Sequence, residues 1–187
     1  LHSAALADVP WPSIDADAPR NLLAQCPSAG ETPLVSADAL AKRLGVVSVM
    51  VKDERGRMGL GSFKALGASY VIAHQAVETG SKDLATALTG RTYVTASAGN
   101  HGMSVAAGAR VFGARAGIYL AETVPESFAD RLRDKGAEVV RAGAEYEASM
   151  AAAAQAATDQ GWTLLSDSSW PGYFALPHRL MEGYLAM

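Results

Sequence analysis

Hydrophobic and polar positions along this chain switch between two periods, and the switching predicts its elements. From Ser62 to Thr79, Phe63, Leu66, Tyr70, Ala73 and Val77 recur at the spacing of one buried helical stripe. After that stripe, β-rich runs alternate with helical ones. "RTYVTAS" (91–97) reads as a strand and "NHGMSVAAGARVF" (100–112) as a helix. "AGIYLA" (116–121) is a strand, followed by the helix "PESFADRLRDK" (125–135), with Pro125 at a favoured first position. "AEVVRA" (137–142) is a strand, "EYEASMAAAAQAATDQ" (145–160) a helix and "WTLLSD" (162–167) the last strand. Upstream, residues 1–33 read as an irregular lead-in. Ser36 is a candidate N-cap for the helix "ADALAKRLG" (37–45), which Gly45 ends. "VSVMVKDE" (47–54) reads as a buried strand and "RGRMGLG" (55–61) as a loop. Strict strand–helix alternation implies an α/β fold with a parallel sheet and right-handed crossovers. The alanine-rich run 151–157 fits a close-packed helix.

In such folds ligands bind at the carboxyl ends of the strands. That directs attention to "DERGRMGLGSFK" (53–64), "SAGNHG" (97–102) and "SDSSWPGY" (166–173).

Bulk properties narrow the function classes. The chain has 187 residues, 49% of them hydrophobic, with a net charge of −3. Scattered lysines and arginines argue against a nucleic-acid partner. No apolar run reaches the roughly 18 residues of a membrane span. The single cysteine, Cys26, cannot form an intramolecular disulfide, and a reducing, cytoplasmic setting is expected. "LHSAALADVPWP" lacks the basic and apolar regions of a secretory signal. Both ends read as cut from something longer. His2, His74, His101 and His178 show no ligand spacing to one another or to Cys26, so no metal site is expected. His101 reads as a packing or hydrogen-bonding residue.

Two segments carry the chemistry. "SAGNHG" follows a strand and opens a helix, where free N–H groups attract anions. A tight turn using Gly99 and Gly102 explains the same residues as well. The segment is neither a dinucleotide fingerprint nor a P-loop. Lys64 stands at a helix start after a glycine-rich turn, with no acid near it in sequence before Glu78. A helix N-terminus disfavours an ammonium and so lowers the amine pKa. A neutral amine is the nucleophile that forms a Schiff base with an aldehyde. The competing reading is an ordinary solvated lysine.

"GSFKALGA" (61–68) followed by "TASAGNHG" (95–102) resembles the fold type II, tryptophan-synthase-like pyridoxal-phosphate enzymes. That group includes threonine and serine dehydratases, threonine synthase and cysteine synthase. The segments 51–70, 108–150 and 166–187 look like the diaminopropionate ammonia-lyase family, with "D-x-x-W-x-G-Y" (167–173) the most discriminating part. The resemblance runs from about Thr32 to Met187. It implies pyridoxal 5'-phosphate held on Lys64, with Asn100 hydrogen-bonded to the ring hydroxyl. It implies that Ser97, Ala98, Gly99 and Asn100 receive the carboxylate of a small amino-acid substrate, and that Asp167 is an acid/base. It also implies two lobes. Residues 1–64 begin the larger lobe, 65–165 form the smaller one, and 166–187 return to the larger, left incomplete. The exposed apolar surface of an incomplete lobe points to a homodimer.

The chain departs from the ammonia-lyase pattern at Ala98, where that family carries an aspartate credited with handling the D-substrate. Its glycine-rich phosphate loop belongs to a part of the family absent from these residues. Three readings follow: β-elimination from 2,3-diaminopropionate to pyruvate and ammonia, a serine/threonine dehydratase-like lyase, or a non-catalytic α/β module. A nucleotide-binding oxidoreductase ranks last.

Overall fold

A computed structural model describes residues 9–187. The reading of the first residues as free of a secretory signal rests partly on 1–8, which lie outside the described residues.

Four strands form one parallel sheet in the order β5-β4-β3-β6. They are β3 (Thr92–Ala96), β4 (Arg115–Leu120), β5 (Glu138–Arg141) and β6 (Thr163–Leu164). The crossovers are the helices α4 (Asn100–Val111), α5 (Glu126–Asp134) and α6 (Tyr146–Gln160). β3 is buried at all its positions and divides its side chains between two layers. Tyr93, with Ile118 and Leu120 of β4, packs among Val105, Ala106 and Leu132 on one face. Val94, Ala96 and Tyr119 meet Ala153 and Ala157 on the other. A fully buried Ile or Leu contributes roughly 1.5–3 kcal/mol, so the larger layer dominates stability. On α6, Ser149, Ala153 and Ala157 recur every fourth position and are all buried. Their small side chains bring the helix close to the sheet, which explains the alanine run.

Helix α3 (Ala65–Glu78) and helix α7 (Ala175–Tyr184) cross beside this unit. Their approach depends on two glycines. A Cβ on Gly183 would lie 2.3 Å from the Leu66 carbonyl oxygen, and one on Gly67 would lie 2.6 Å from the Tyr184 hydroxyl.

Several expectations are corrected. The lead-in contains a helix, α1 (Asp17–Leu23), packed against α3 and α7. Ser36 does not cap α2 (Asp38–Leu44): Ala37 holds that position, while Ser36 ends strand β1 (Leu34–Ser36) and its hydroxyl binds Asp38. Gly45, left-handed at φ 67°, does end α2. The run 47–54 is not a buried strand. Only Met50–Lys52 (β2) is extended, it pairs antiparallel with β1, and all of it is exposed. Its β-branched content favours extension, but a two-stranded ribbon outside the main sheet has nothing to bury those residues against. The α3 stripe is also shifted. Leu66 and Tyr70 are buried, whereas Phe63 and Val77 are exposed, because the helix begins only at Ala65 and turns Val71, Ile72 and Ala76 inward. Pro125 sits at the N-cap of α5 with extended ψ, one position before the helix.

Candidate active site

The approach to Lys64 is held from beneath by a buried arginine. Residues Glu54–Gly59 form a 3-10 segment kinked at Arg57 and Met58. The Arg57 guanidinium donates to Glu54 Oε2 at 2.7 Å and Oε1 at 2.8 Å, to Thr32 Oγ1 at 2.9 Å and to the Gly30 carbonyl at 2.9 Å. Lys52 Nζ reaches the Thr32 carbonyl at 2.6 Å. A planar fork matches this carboxylate in two bonds, which ties the loop to residues 30–32. The Arg57 hydrogen bond outweighs burial and keeps the Glu54 carboxyl below its ordinary range. The chain then climbs through Gly59 and Gly61, both at positive φ, and delivers Lys64 as the N-cap of α3.

The lysine is not without an acid partner. Its Nζ donates to Asp167 Oδ2, just beyond the edge strand β6, and the two side chains are 33% and 24% exposed. Burial works to raise the Asp167 carboxyl. The charge of His101 and the Lys64 hydrogen bond overcome it, so the carboxyl stays below its usual range. Of these two, Lys64 acts at neutral pH, because a neutral His101 carries no charge.

His101 is buried on the first turn of α4. Its Nε2 lies 2.8 Å from the Leu165 carbonyl. A carbonyl only accepts, so Nε2 carries the proton and Nδ1 is bare. Nδ1 has no partner among the described residues. Burial is the main cause that pushes the His101 pKa down, with Asp167 opposing it. Its packing and hydrogen-bonding role is as read from the sequence.

The turn 97–100 joins β3 to α4. Ser97 and Ala98 are partly buried, and Ala98 packs against the larger core layer. Gly99, the N-cap, and Asn100 are exposed. Among the described residues no side chain caps this helix, and a Cβ built on Gly99 would meet nothing within 4 Å. The start of α4 is therefore exposed at Gly99 and Asn100, while His101, Gly102 and Met103 turn inward. Gly102 explains the tightness of the turn: a Cβ there would lie 2.1 Å from the Ser97 carbonyl oxygen. The tight-turn reading of this segment is the one seen here, since Gly102 lets the turn close on Ser97. A cavity of about 610 Å³ lies between α1, α3 and α4, and none of Lys64, Ser97–Asn100 or Asp167 lines it. The candidate site is the open carboxyl end of the sheet, where the amine, the carboxylate and the uncapped helix lie together.

Residues 26–182 match the family described as pyridoxal-phosphate dependent enzyme. The chain belongs to that family. It is 35% identical over 165 residues to diaminopropionate ammonia-lyase of Escherichia coli K12, covering 83% of this chain and 42% of that protein. A biosynthetic L-threonine dehydratase of Pasteurella multocida is 32% identical over 144 residues, covering 77% of this chain and 26% of that one. The crystal structure of the Escherichia coli diaminopropionate ammonia-lyase in complex with D-serine superposes with a TM-score of 0.85 at 30% identity, over 100% of this chain and 49% of that one. The chain thus spans less than half the length of these relatives. The family's fold type II architecture agrees with the parallel α/β sheet. Among the described residues no group of three or more His, Cys, Asp or Glu could hold a metal ion, and no helix is long and apolar enough to cross a membrane.

The residues fit a pyridoxal group at its aldehyde end. A primary amine stands beside a proton acceptor, next to a helix start with space before it. Sequence reasoning missed Arg57, Tyr173 and Tyr184 around this site. The Tyr184 phenol is pushed up to about 12 by burial and then by Asp167. Its ring meets Phe63 edge-on at 5.3 Å. The motif D-x-x-W-x-G-Y was the available signal for Tyr173.

Proposed function

We propose that this chain carries the lysine-bearing part of a pyridoxal-phosphate-dependent ammonia-lyase that converts 2,3-diaminopropionate to pyruvate and ammonia. The observation that carries the reading is the pairing of Lys64 with Asp167 beside the uncapped start of α4. Lys64 would hold the cofactor, and Asn100 would face its ring hydroxyl. Backbone groups of Ser97, Ala98, Gly99 and Asn100 would take the substrate carboxylate. When bound, the cofactor supplies an electron sink for bond breaking at the α-carbon. The protein's part is proton handling. Lys64 Nζ must lose a proton before it can act as nucleophile or base, and Asp167 Oδ2 is the acceptor in contact with it. The same carboxyl can return that proton to the amine that departs from the β-carbon.

The two-lobe division at residues 64 and 165 belongs to this reading, since Lys64 and Asp167 stand at its two crossings. So does a homodimer. Leu34, Val35, Met50 and Val51 are exposed on the β1–β2 ribbon, a surface a second copy would cover.

A second reading changes only the substrate. Ala98 packs its methyl against the core, so no carboxylate stands at that position to handle a D-isomer. This favours serine or threonine, as the likeness to threonine dehydratase does. Incubating the holoenzyme with diaminopropionate and serine of both hands, and with L-threonine, separates the readings. Pyruvate from diaminopropionate that disappears in Lys64→Ala supports the first. Turnover of L-serine or L-threonine alone supports the second, and turnover that survives Lys64→Ala contradicts both.

A further inference from the structure

The stretch that carries Asp167 leaves the sheet early. β6 pairs with β3 only through Thr163 and Leu164, and the last bond to β3 runs from Leu165 N to the Val94 carbonyl at 2.8 Å. Beyond that point no strand holds the backbone, yet Asp167 follows two residues later. Side chains do the holding. His101 Nε2 donates to the Leu165 carbonyl. The Tyr173 hydroxyl donates to the Leu164 carbonyl at 2.9 Å and accepts from Ser166 N–H at 2.9 Å. One phenol thereby closes on both sides of Leu165, immediately before Asp167.

Tyr173 is itself locked. Its ring stacks on Trp170 at 4.3 Å with an interplanar angle of 18°. The two residues also exchange backbone bonds, Trp170 N to Tyr173 O at 3.1 Å and Tyr173 N to Trp170 O at 2.8 Å. Gly172, at φ 85°, allows the chain to double back between them. Residues 164–173 therefore form a closed loop with Asp167 directly beside its closure, and D-x-x-W-x-G-Y (167–173) is the part of that loop from Asp167 onward.

We propose that Tyr173 is a positioning residue whose hydroxyl, clamped on Leu164 and Ser166, sets the Asp167 carboxylate against Lys64. Trp170 acts one step further back by fixing the ring. The inference rests on the proposed role of the Lys64–Asp167 pair. A misplacement of about 1 Å in such a pair costs on the order of a hundredfold in rate.

The test compares holoenzymes bearing Tyr173→Phe, Asp167→Asn and both, with Trp170→Leu as a second route to the same loosening. Tyr173→Phe keeps the ring and the stack and removes only the hydroxyl. The expected result is a fall in kcat of about tenfold to a hundredfold with KM changed by less than about threefold. The double variant should be no slower than Asp167→Asn alone, because the clamp has no carboxylate left to place. Hydrogen exchange in the cofactor-free protein gives a readout independent of turnover: the Ser166 amide should exchange faster in Tyr173→Phe while the Leu165 amide, bonded to β3, stays protected. Additive losses in the double variant, or an unchanged kcat in both Tyr173→Phe and Trp170→Leu, would overturn the proposal. Cofactor that cannot be fixed to Lys64 in wild type would instead overturn the parent reading and leave the exchange result standing.

Discussion

Lys64 and Asp167 are 103 positions apart and joined in an ion pair at the carboxyl end of the sheet. Each arrives by a different device. Glycines at positive φ and the Arg57 network bring the lysine in, and the loop closed by Tyr173 brings the aspartate.

Replacing the carboxylate with its isosteric amide isolates the proton-handling role. In the holoenzyme, Asp167→Asn is expected to lower kcat by about 10²–10⁴-fold. Steady-state kinetics check this, and a kcat within about threefold of wild type would place the acid/base elsewhere.

Gly183 of the α3–α7 crossing and Gly99 of the open turn should behave oppositely. Gly183→Ala drives a Cβ against the Leu66 backbone, which cannot move aside cheaply. A loss of about 1–3 kcal/mol is expected. Gly99 has open space and an ordinary negative φ, so Gly99→Ala should change stability by less than about 0.5 kcal/mol. It should raise KM all the same, because a methyl group enters the space before α4. Thermal unfolding and KM together check the pair.

Arg57 is the stability element of the lysine loop. Arg57→Leu leaves the partly buried Glu54 carboxylate with only the Thr32 hydroxyl donating to it, and a loss of about 1–3 kcal/mol is expected. Arg57→Lys should not rescue it, because an ammonium cannot span both carboxylate oxygens and Thr32. The Asp53–Arg55 pair, whose arginine is exposed, is the control. Arg55 holds the Asp53 carboxyl down at about 2, yet solvent screens the pair, and Asp53→Asn should leave the melting temperature unchanged.

Stability should decline on the acid side in two stages. The folded pKa of His101 lies below its ordinary 6.5. Above that pH neither state binds the proton. Below it the unfolded chain takes one up that the folded chain refuses, so stability falls as pH falls. The folded pKa of Asp167 lies below 3.8, so its contribution is present above that value and is lost as pH falls through the range below it. Melting temperatures measured from about pH 7 to about pH 5 should fall more steeply in wild type than in His101→Asn.

The parallel core was legible because β3, β4 and their crossovers carry clean periodicity between turn residues. The places of Lys64 and Asn100 at helix starts and of Asp167 after the last strand were legible from the pattern, while the roles proposed for Asn100 and Asp167 came from the family resemblance. The ribbon strand β2 was misread as buried, since a β-rich run does not say which sheet it joins. The partner of Lys64 was invisible to local reading, because it comes from across the fold. Arg57 and Tyr173 were missed for the same reason. An arginine in a loop reads as solvated until Glu54, Thr32 and Gly30 surround it, and a tyrosine after Trp-Pro-Gly shows its use only once its hydroxyl meets Leu164 and Ser166.

Lys64 would be the residue that holds the cofactor by its aldehyde. Borohydride reduction of the holoenzyme followed by peptide mass analysis tests it directly. The reduced pyridoxyl adduct is expected on the peptide containing Lys64 and is expected to be absent from Lys64→Ala. An adduct on another lysine, with Lys64 unmodified, would contradict the role proposed for Lys64.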